Sequence, residues 1–205
     1  ITNDQIRIAR KKKFIATNKY NFISKSDIVI ICVPTPINKN KKPVMDYVKH
    51  AVDKIKKNLV KNQLFIMECT TYPGTSEEYF LPIFKSKKLE VGQNIFLGYS
   101  PEREDPGNPK YSVTKDNISK IVSGYTSSCQ VLVEELYKTI IRRVYPVGDI
   151  RTAEFTKLLE NTYRLVNVAL INDLQKICSK MDIDIYEAIN AASTKPFGFQ
   201  PFFPG

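Results

Sequence analysis

The sequence predicts an α/β fold built around a doubly wound parallel sheet, and two observations lead to this prediction. Short β-rich runs alternate with longer stretches of helical periodicity, which is the spacing of strand–helix–strand units. The apolar run at 28–33, IVIICV, is nearly continuous, as expected of a strand that is covered on both faces. The predicted strands are Asp27–Val33, Leu64–Glu68, Ile95–Tyr99, Ile118–Ser123 and Arg143–Val147, and the helices between them are Asp46–Val60, Ser76–Lys87 and Ser127–Ile140.

The beginning of the chain differs from the regular pattern that follows it. Residues 1–13 have the character of a helical fragment that leads directly to the first predicted strand, so the Rossmann-like sheet is predicted to lack its N-terminal strands. No G-x-G-x-x-G motif occurs in the chain. The phosphate-binding turn of such a domain is therefore expected upstream of Ile1.

The pattern changes again after Gly148. Residues 152–180 contain no proline or glycine and carry apolar residues at helical spacing. A helix of that length extends for about 43 Å, so it is predicted to join two domains or to form a subunit interface. We therefore predict the C-terminal part of a Rossmann domain at 1–148 and a truncated, long-helix central domain at 149–205.

Composition excludes several classes of function. The net charge of +10 comes mainly from lysines spread along the chain, without an arginine and aromatic stripe, so nucleic acid is not an expected partner. The four cysteines lack C-x-x-C spacing, so no metal site is predicted. No apolar run approaches the roughly 20 residues that span a bilayer, and the N-terminus does not resemble a signal peptide. We expect a cytoplasmic protein that does not bind membranes.

Polar residues follow three of the predicted strands. Pro34 and Thr35 come after the first strand, Thr70 after the second and the charged segment Glu102–Asp105 after the third. Since ligands bind at the carboxyl ends of parallel strands, these loops are expected to converge on one site. The alternative for Glu102–Asp105 is a solvated turn.

The long helix carries a second candidate group of residues. Glu154, Lys157, Asn161 and Arg164 are spaced so that they share one helix face. Lys157 and Asn161 lie about 6 Å apart along the axis, close enough to reach one substrate. An ordinary polar helix face has the same spacing, and the pattern alone leaves both interpretations open.

Five segments of the chain carry a family resemblance: DIVIICVPTP, ECTTYPGT, YSPEREDPGNP, AEFTKLLENTYRLVNVALINDL and TKPFGFQPFFPG. Taken together, they resemble the UDP-glucose / UDP-N-acetylhexosamine 6-dehydrogenase family. The resemblance covers nearly the whole chain, because the segments occur in the family's order and at fitting separations. The forms of the third and fifth segments are more similar to the branch that acts on UDP-N-acetylglucosamine than to the UDP-glucose branch.

The resemblance implies an activity and a set of site residues. Enzymes of this kind oxidise the 6-hydroxyl of the sugar twice with two NAD, through an aldehyde captured by a cysteine and a thioester that is then hydrolysed. The implied product is the uronic acid, used in surface polysaccharide synthesis. The resemblance implies NAD contacts by Pro34, Thr35 and Thr70, catalytic roles for Glu102, Lys157 and Asn161, and UDP-N-acetylhexosamine contacts by Arg103, Glu104, Lys157, Asn161 and Arg164.

Departures from the family pattern qualify these expectations. The nucleophilic cysteine follows a continuation of FFPG in the family, whereas these 205 residues end at Gly205. We therefore expect the chain alone to be inactive, and we expect a homodimer through helix 152–180. The sequence does not fix the epimer of the hexosamine. Two other interpretations stay open: an NAD(P)-dependent dehydrogenase of the hydroxyacid type, and a non-catalytic nucleotide-binding domain.

Overall fold

Five strands form one sheet in the order β1 to β5 in a computed structural model that describes residues 2–104 and 118–205. Strands β1, β2 and β3 are parallel, and helices lie between them along the chain. This confirms the predicted α/β class. The strands are β1 (Ile28–Ile31), β2 (Leu64–Met67), β3 (Phe96–Tyr99), β4 (Lys120–Gly124) and β5 (Val144–Pro146); the helices are α1 (Asn3–Lys11), α2 (Asp46–Asn58), α3 (Thr75–Ser86), α4 (Ser127–Lys138), α5 (Ile150–Lys180) and α6 (Ile185–Ala192).

One strand pair departs from the parallel arrangement. Strands β3 and β4 are antiparallel, with Gly98 opposite Gly124 and Tyr99 opposite Ser123. Strand β4 therefore begins at the edge of the sheet where β3 ends. This reversal brings Lys120, the first residue of β4, to the same edge as the carboxyl ends of the three parallel strands.

Helices cover both faces of the sheet, and the side chains of β2 alternate between the two faces. In β2, Phe65 packs with Phe80 and Phe84 of α3, with ring centroids 5.9 and 5.7 Å apart. Its neighbours Leu64 and Ile66 belong to a second buried cluster on the side of α4. A strand buried on both faces loses the polar alternation of a half-exposed strand, which explains the continuous apolar run LFIM.

The long helix α5 begins at a side-chain cap and continues well beyond the sheet. The Asp149 carboxylate accepts a hydrogen bond from the Thr152 N–H at 2.9 Å and caps the first turn. Farther along, Ile171 packs against Ile185 and Ile189 of α6 and against Phe202 of the C-terminal segment. No helix among the described residues is long and apolar enough to cross a membrane.

Candidate active site

The residues that follow β1, β2 and β3 lie at one edge of the sheet, as predicted. The parallel register pairs Ile31 with Met67 and Met67 with Tyr99, so the three strands end side by side. The antiparallel β4 adds its first residue to this edge. The described part of the charged loop, 100–104, therefore meets the loops after β1 and β2. Asp105, the last residue of the predicted charged segment, lies outside the described residues.

Thr35 and Thr70 are in contact at the ends of β1 and β2. The Thr35 hydroxyl donates a hydrogen bond to the Thr70 carbonyl oxygen at 2.7 Å, and both side chains are half-buried, while Pro34 is exposed. The Thr70 hydroxyl makes no hydrogen bond to another described residue, so it can bind a ligand. Both threonines thus lie at the carboxyl edge of the parallel strands, where open α/β sheets bind their ligands.

Glu102 presents a carboxylate that is fixed at both oxygens. One oxygen accepts hydrogen bonds from the Arg103 and Glu104 N–H groups at 2.7 and 2.6 Å. The other lies 3.6 Å from the Lys120 ammonium group. Burial alone would raise the pKa of Glu102, but the hydrogen bond from Glu104, the Lys120 charge and the hydrogen bond from Arg103 together lower it. The side chain is 54% exposed, and it offers an ionised, oriented carboxylate to the solvent side of the site.

Arg103 joins the loop after β3 to helix α5. Its Nη2 lies 2.5 Å from the Glu160 carboxylate, and its Nη1 donates to the Ser119 carbonyl oxygen at 2.8 Å. The guanidinium group is thus largely occupied by protein contacts. Glu104 is exposed beside it. The contact with Glu160 brings the loop that carries Glu102 against the part of α5 that carries Lys157.

Lys157 and Asn161 lie one turn apart on α5, next to this loop. Burial lowers the pKa of Lys157, and the positive charge of Arg164 lowers it further. The negative charges of Glu160 and Glu102 act in the opposite direction and raise it. Asn161 accepts a hydrogen bond from Arg164 Nη2 at 3.0 Å. Glu102 and Lys157, distant in the sequence, therefore share one electrostatic environment.

Glu154 belongs to a different environment from the rest of the predicted polar face. It is fully buried, and its carboxylate accepts hydrogen bonds from the Gly74 N–H, the Ser76 N–H and the Ser76 hydroxyl. These groups form the N-terminus of α3, where backbone N–H groups lack partners within the helix. Glu154 therefore caps α3 from outside. The common face expected from helical spacing ends at Lys157 because α3 covers the preceding turn.

Sequence reasoning missed three residues at this edge: Lys120, Glu68 and Tyr137. The Lys120 ammonium lies 3.1 Å from Glu68, and the Tyr137 hydroxyl donates to the same carboxylate oxygen. The available signal was a lysine at the start of the otherwise apolar strand KIVSG and a glutamate ending LFIME. Charged residues at such positions are costly to bury unless they are paired.

A mainly parallel sheet whose carboxyl edge gathers hydroxyls, a carboxylate and an amine beside a long helix is typical of a dinucleotide-dependent oxidoreductase. Residues 3–141 match the NAD binding domain of the UDP-glucose/GDP-mannose dehydrogenase family, and residues 151–205 match its central domain. The chain belongs to the UDP-glucose/GDP-mannose dehydrogenase family. NAD as the predicted cofactor is confirmed at the level of this family.

Individual relatives agree with this membership. The chain is 37% identical over its whole length to the UDP-N-acetyl-D-glucosamine 6-dehydrogenase of Salmonella typhi, of which it spans 47%. Over 89% of its length it is 40% identical to the Pseudomonas aeruginosa enzyme of the same name, of which it spans 43%. The structure of the UDP-D-ManNAc dehydrogenase from Pyrococcus horikoshii superimposes with a TM-score of 0.86 at 29% identity, covering 97% of this chain and 47% of that one. The chain thus spans about half the length of these relatives.

Proposed function

We propose that this chain is the NAD-binding and central part of a UDP-N-acetylhexosamine 6-dehydrogenase, with UDP-N-acetylglucosamine as its substrate. The observation that carries the proposal is the common environment of Glu102 and Lys157, held together by the contact of Arg103 with Glu160. Relatives named for UDP-N-acetylglucosamine and for UDP-N-acetylmannosamine both support the hexosamine class. Relatives named for the glucosamine substrate are 37 and 40% identical over 100 and 89% of the chain. One named for the mannosamine substrate is 37% identical over 83% of the chain, and another is 30% identical over 90%. The combination of identity and coverage supports the glucosamine epimer.

The residues at the sheet edge suit both requirements of this reaction, which are to bind NAD and to place the 6-position of the sugar beside it. When NAD is bound, it supplies the acceptor for the hydride that leaves the sugar carbon. Pro34, Thr35 and Thr70 would hold it at the ends of β1 and β2, where the Thr70 hydroxyl has no partner among the described residues. The neighbouring loop 100–104 and helix α5 then face the 6-position of the sugar.

Lys157 and Asn161 would stabilise negative charge that develops on the sugar oxygen. An ammonium and an amide on consecutive turns of a rigid helix are donors fixed before the reaction, which is the efficient arrangement for an oxyanion. Because burial lowers the pKa of Lys157, its amine also exchanges a proton more readily than a solvated lysine. Arg164, bonded to Asn161, would reach the anionic part of the nucleotide.

Glu102 would orient the water that hydrolyses the acyl intermediate. Its carboxylate is ionised and half-exposed, and the N–H groups of Arg103 and Glu104 fix its direction. Because the Arg103 guanidinium contacts Glu160 and Ser119, we assign Arg103 and Glu104 to the substrate site mainly through their backbone.

We further propose a homodimer formed through α5. Seven exposed apolar residues follow one another along this helix at intervals of four, four, three, four, four and three, so they form one stripe. A two-fold dimer can bury such a stripe against its own copy. We name this set the α5 stripe: Phe155, Leu159, Tyr163, Val166, Leu170, Leu174 and Ile177.

Three further features of the protein stay predictions. A domain boundary between Gly148 and Asp149 is supported by the family matches, which end at 141 and resume at 151. A cytoplasmic location and a role in surface polysaccharide synthesis follow only from the sequence and the family resemblance.

A thermal-shift titration tests the substrate class directly. Ligands that bind the native state raise the melting temperature according to their concentration relative to Kd. We expect UDP-N-acetylglucosamine to stabilise the chain more than UDP-N-acetylmannosamine does, and both more than UDP-glucose or GDP-mannose. Equal shifts with GDP-mannose would contradict the proposal. NADH formation is then followed with each sugar nucleotide, both in this chain, which we expect to be inactive alone, and in the product of the complete reading frame that encodes it.

A further inference from the structure

Lys120 is a deeply buried charged residue at the sheet edge described above. Its side chain is 3% exposed, and it lies at the start of β4 because that strand runs antiparallel to β3. The ammonium group is 3.1 Å from Glu68, 3.6 Å from Glu102 and 3.4 Å from the Pro101 carbonyl oxygen. An ammonium group is costly to bury unless carboxylates pair with it.

Glu68 is the fixed partner of this lysine. Its side chain is 17% exposed, and it also accepts hydrogen bonds from the Tyr137 hydroxyl and from the Cys32 thiol, the latter at 3.4 Å. Burial, followed by the contact with Glu68, raises the pKa of Tyr137, so the phenol remains a donor. The Lys120 ammonium also lies 5.4 Å from the centre of the Tyr137 ring. The ion pair is thus formed and contacted by residues from four places in the fold, namely the ends of β1 and β2, the start of β4, and helix α4.

Glu102 is the remaining carboxylate of the cluster, and its surroundings differ from those of Glu68. It is half-exposed and lies on a loop, whereas Glu68 directly follows the buried strand β2 and Lys120 is the first residue of the buried strand β4. Since Glu68 already balances the lysine, the contact with Glu102 does not neutralise a buried charge; it fixes an oxygen of the exposed carboxylate. The loop N–H groups fix the other oxygen.

We propose that Lys120 is a positioning residue for Glu102: its buried ammonium group, anchored by Glu68, holds one Glu102 oxygen so that the carboxylate faces the substrate. Lys120 itself does not contact substrate, because its side chain is buried and its ammonium group is paired with carboxylates of the protein. The inference deepens the proposed function, and its catalytic consequence rests on that function. The charged groups that act on Glu102 are then Lys120 of β4, its partner Glu68 after β2, and Lys157 of α5.

The test is an NMR titration of Glu102 in the 205-residue chain, labelled at glutamate carboxyl carbons. Replacing an adjacent ammonium by an apolar side chain should raise the Glu102 pKa by about one unit, so we expect this rise in Lys120→Met. Because Lys120→Met leaves Glu68 unpaired in the interior, the double variant Lys120→Met/Glu68→Gln keeps the measurement possible if the single variant unfolds. It is compared with Glu68→Gln, from which it differs only at Lys120, and the Glu102 pKa should again be higher in the protein that lacks the lysine. Lys120→Arg should restore the original titration.

Lys138→Met is the matched control, since it removes an exposed lysine from α4 that pairs only with Glu134 and Glu135 among the described residues. It should leave the Glu102 titration unchanged. The same Glu102 titration in the double variant as in Glu68→Gln, or an equal rise in Lys138→Met, would overturn the assignment of Lys120.

Kinetics of the complete enzyme separate this inference from the proposed function. If Glu102 activates water, the acidic limb of the kcat profile should move upward in pH with the NMR titration in the Lys120 variants, while KM for NAD stays the same. A shifted Glu102 titration with an unmoved kcat profile supports Lys120 as the positioning residue and instead overturns the role proposed for Glu102.

Discussion

Arg103 and Glu160 form the contact that joins the loop after β3 to the long helix, with 2.5 Å between Nη2 and the carboxylate oxygen. Their side chains are 26 and 32% exposed, so the pair is shielded from solvent more than a surface ion pair is. Because Lys157 lies one turn before Glu160, this contact ties the loop that carries Glu102 to the turn of α5 that carries Lys157.

A double-mutant cycle measures this coupling. We expect Arg103→Met and Glu160→Gln to lower the free energy of unfolding by less in combination than the two separate effects predict, with a coupling energy of about 1 kcal/mol. Urea unfolding of the four proteins gives the number. Strict additivity would show that the two side chains do not interact in solution. The corresponding control cycle, Lys176→Met with Asp173→Asn, removes an exposed pair on the same helix and should couple more weakly.

Glu154→Ala should destabilise the protein strongly. The substitution leaves the Gly74 N–H, the Ser76 N–H and the Ser76 hydroxyl without their acceptor in a buried region, at a cost of about 3 kcal/mol. Chemical denaturation provides the measurement. Asp173→Ala removes an exposed carboxylate from the same helix and should change stability by less than about 0.5 kcal/mol. Equal effects of the two variants would mean that Glu154 does not cap α3.

The same residue gives the protein a specific dependence on pH. Burial raises the pKa of Glu154 above the ordinary glutamate value of 4.5, against the hydrogen bonds from Ser76 and Gly74. Between the unfolded and folded pKa values the native state binds more protons, so this group's contribution to stability falls as pH rises through that interval. The unfolding free energy of the native protein minus that of Glu154→Gln should therefore decrease from pH 4.5 upward and then level off. A difference that increases over this interval would contradict the direction of the shift.

Gly124 lies where helix α4 approaches the end of β4. A β-carbon at this position would lie 2.0 Å from the Gln130 backbone nitrogen, and backbone atoms in a helix cannot move aside cheaply. We expect Gly124→Ala to cost about 3 kcal/mol, measured as a fall in the denaturation midpoint. Gly148→Ala is the matched control, because a β-carbon there meets no atom within 4 Å. A Gly124→Ala protein as stable as Gly148→Ala would refute this close approach.

The α5 stripe makes a prediction about assembly. Leu159→Asp and Val166→Asp each place a charge in the stripe and should weaken the proposed dimer at least about tenfold, since burying an unpaired carboxylate costs more than 1.4 kcal/mol. Sedimentation equilibrium measures the dissociation constant. Leu165→Asp alters a neighbouring residue that is 70% exposed but lies outside the stripe, and it should leave the constant unchanged. Equal effects of all three changes, or a monomeric parent protein, would contradict the interface.

The elements themselves were predictable because their signals are local. The apolar run before Val33 and the uninterrupted helical period after Thr152 each arise within one segment. The antiparallel pairing of β4 was not predictable, since two short apolar strands carry no mark of their relative direction. Lys120 was not predicted as a site residue, because only its proximity to Glu68 distinguishes a buried cation from a solvated one. Glu68 is far away in the sequence, so this proximity is visible only in the fold. Helical spacing placed Glu154 on a face but could not show that α3 covers that turn.

The reversal between β3 and β4 also gives one side chain contact with three parts of the fold. Arg103 lies in the loop after β3, and its guanidinium group donates a 2.8 Å hydrogen bond to the carbonyl oxygen of Ser119, which directly precedes β4, and pairs with Glu160 of α5. Any rotation of α5 against the sheet would therefore displace the start of β4 and the loop that carries Glu102 together.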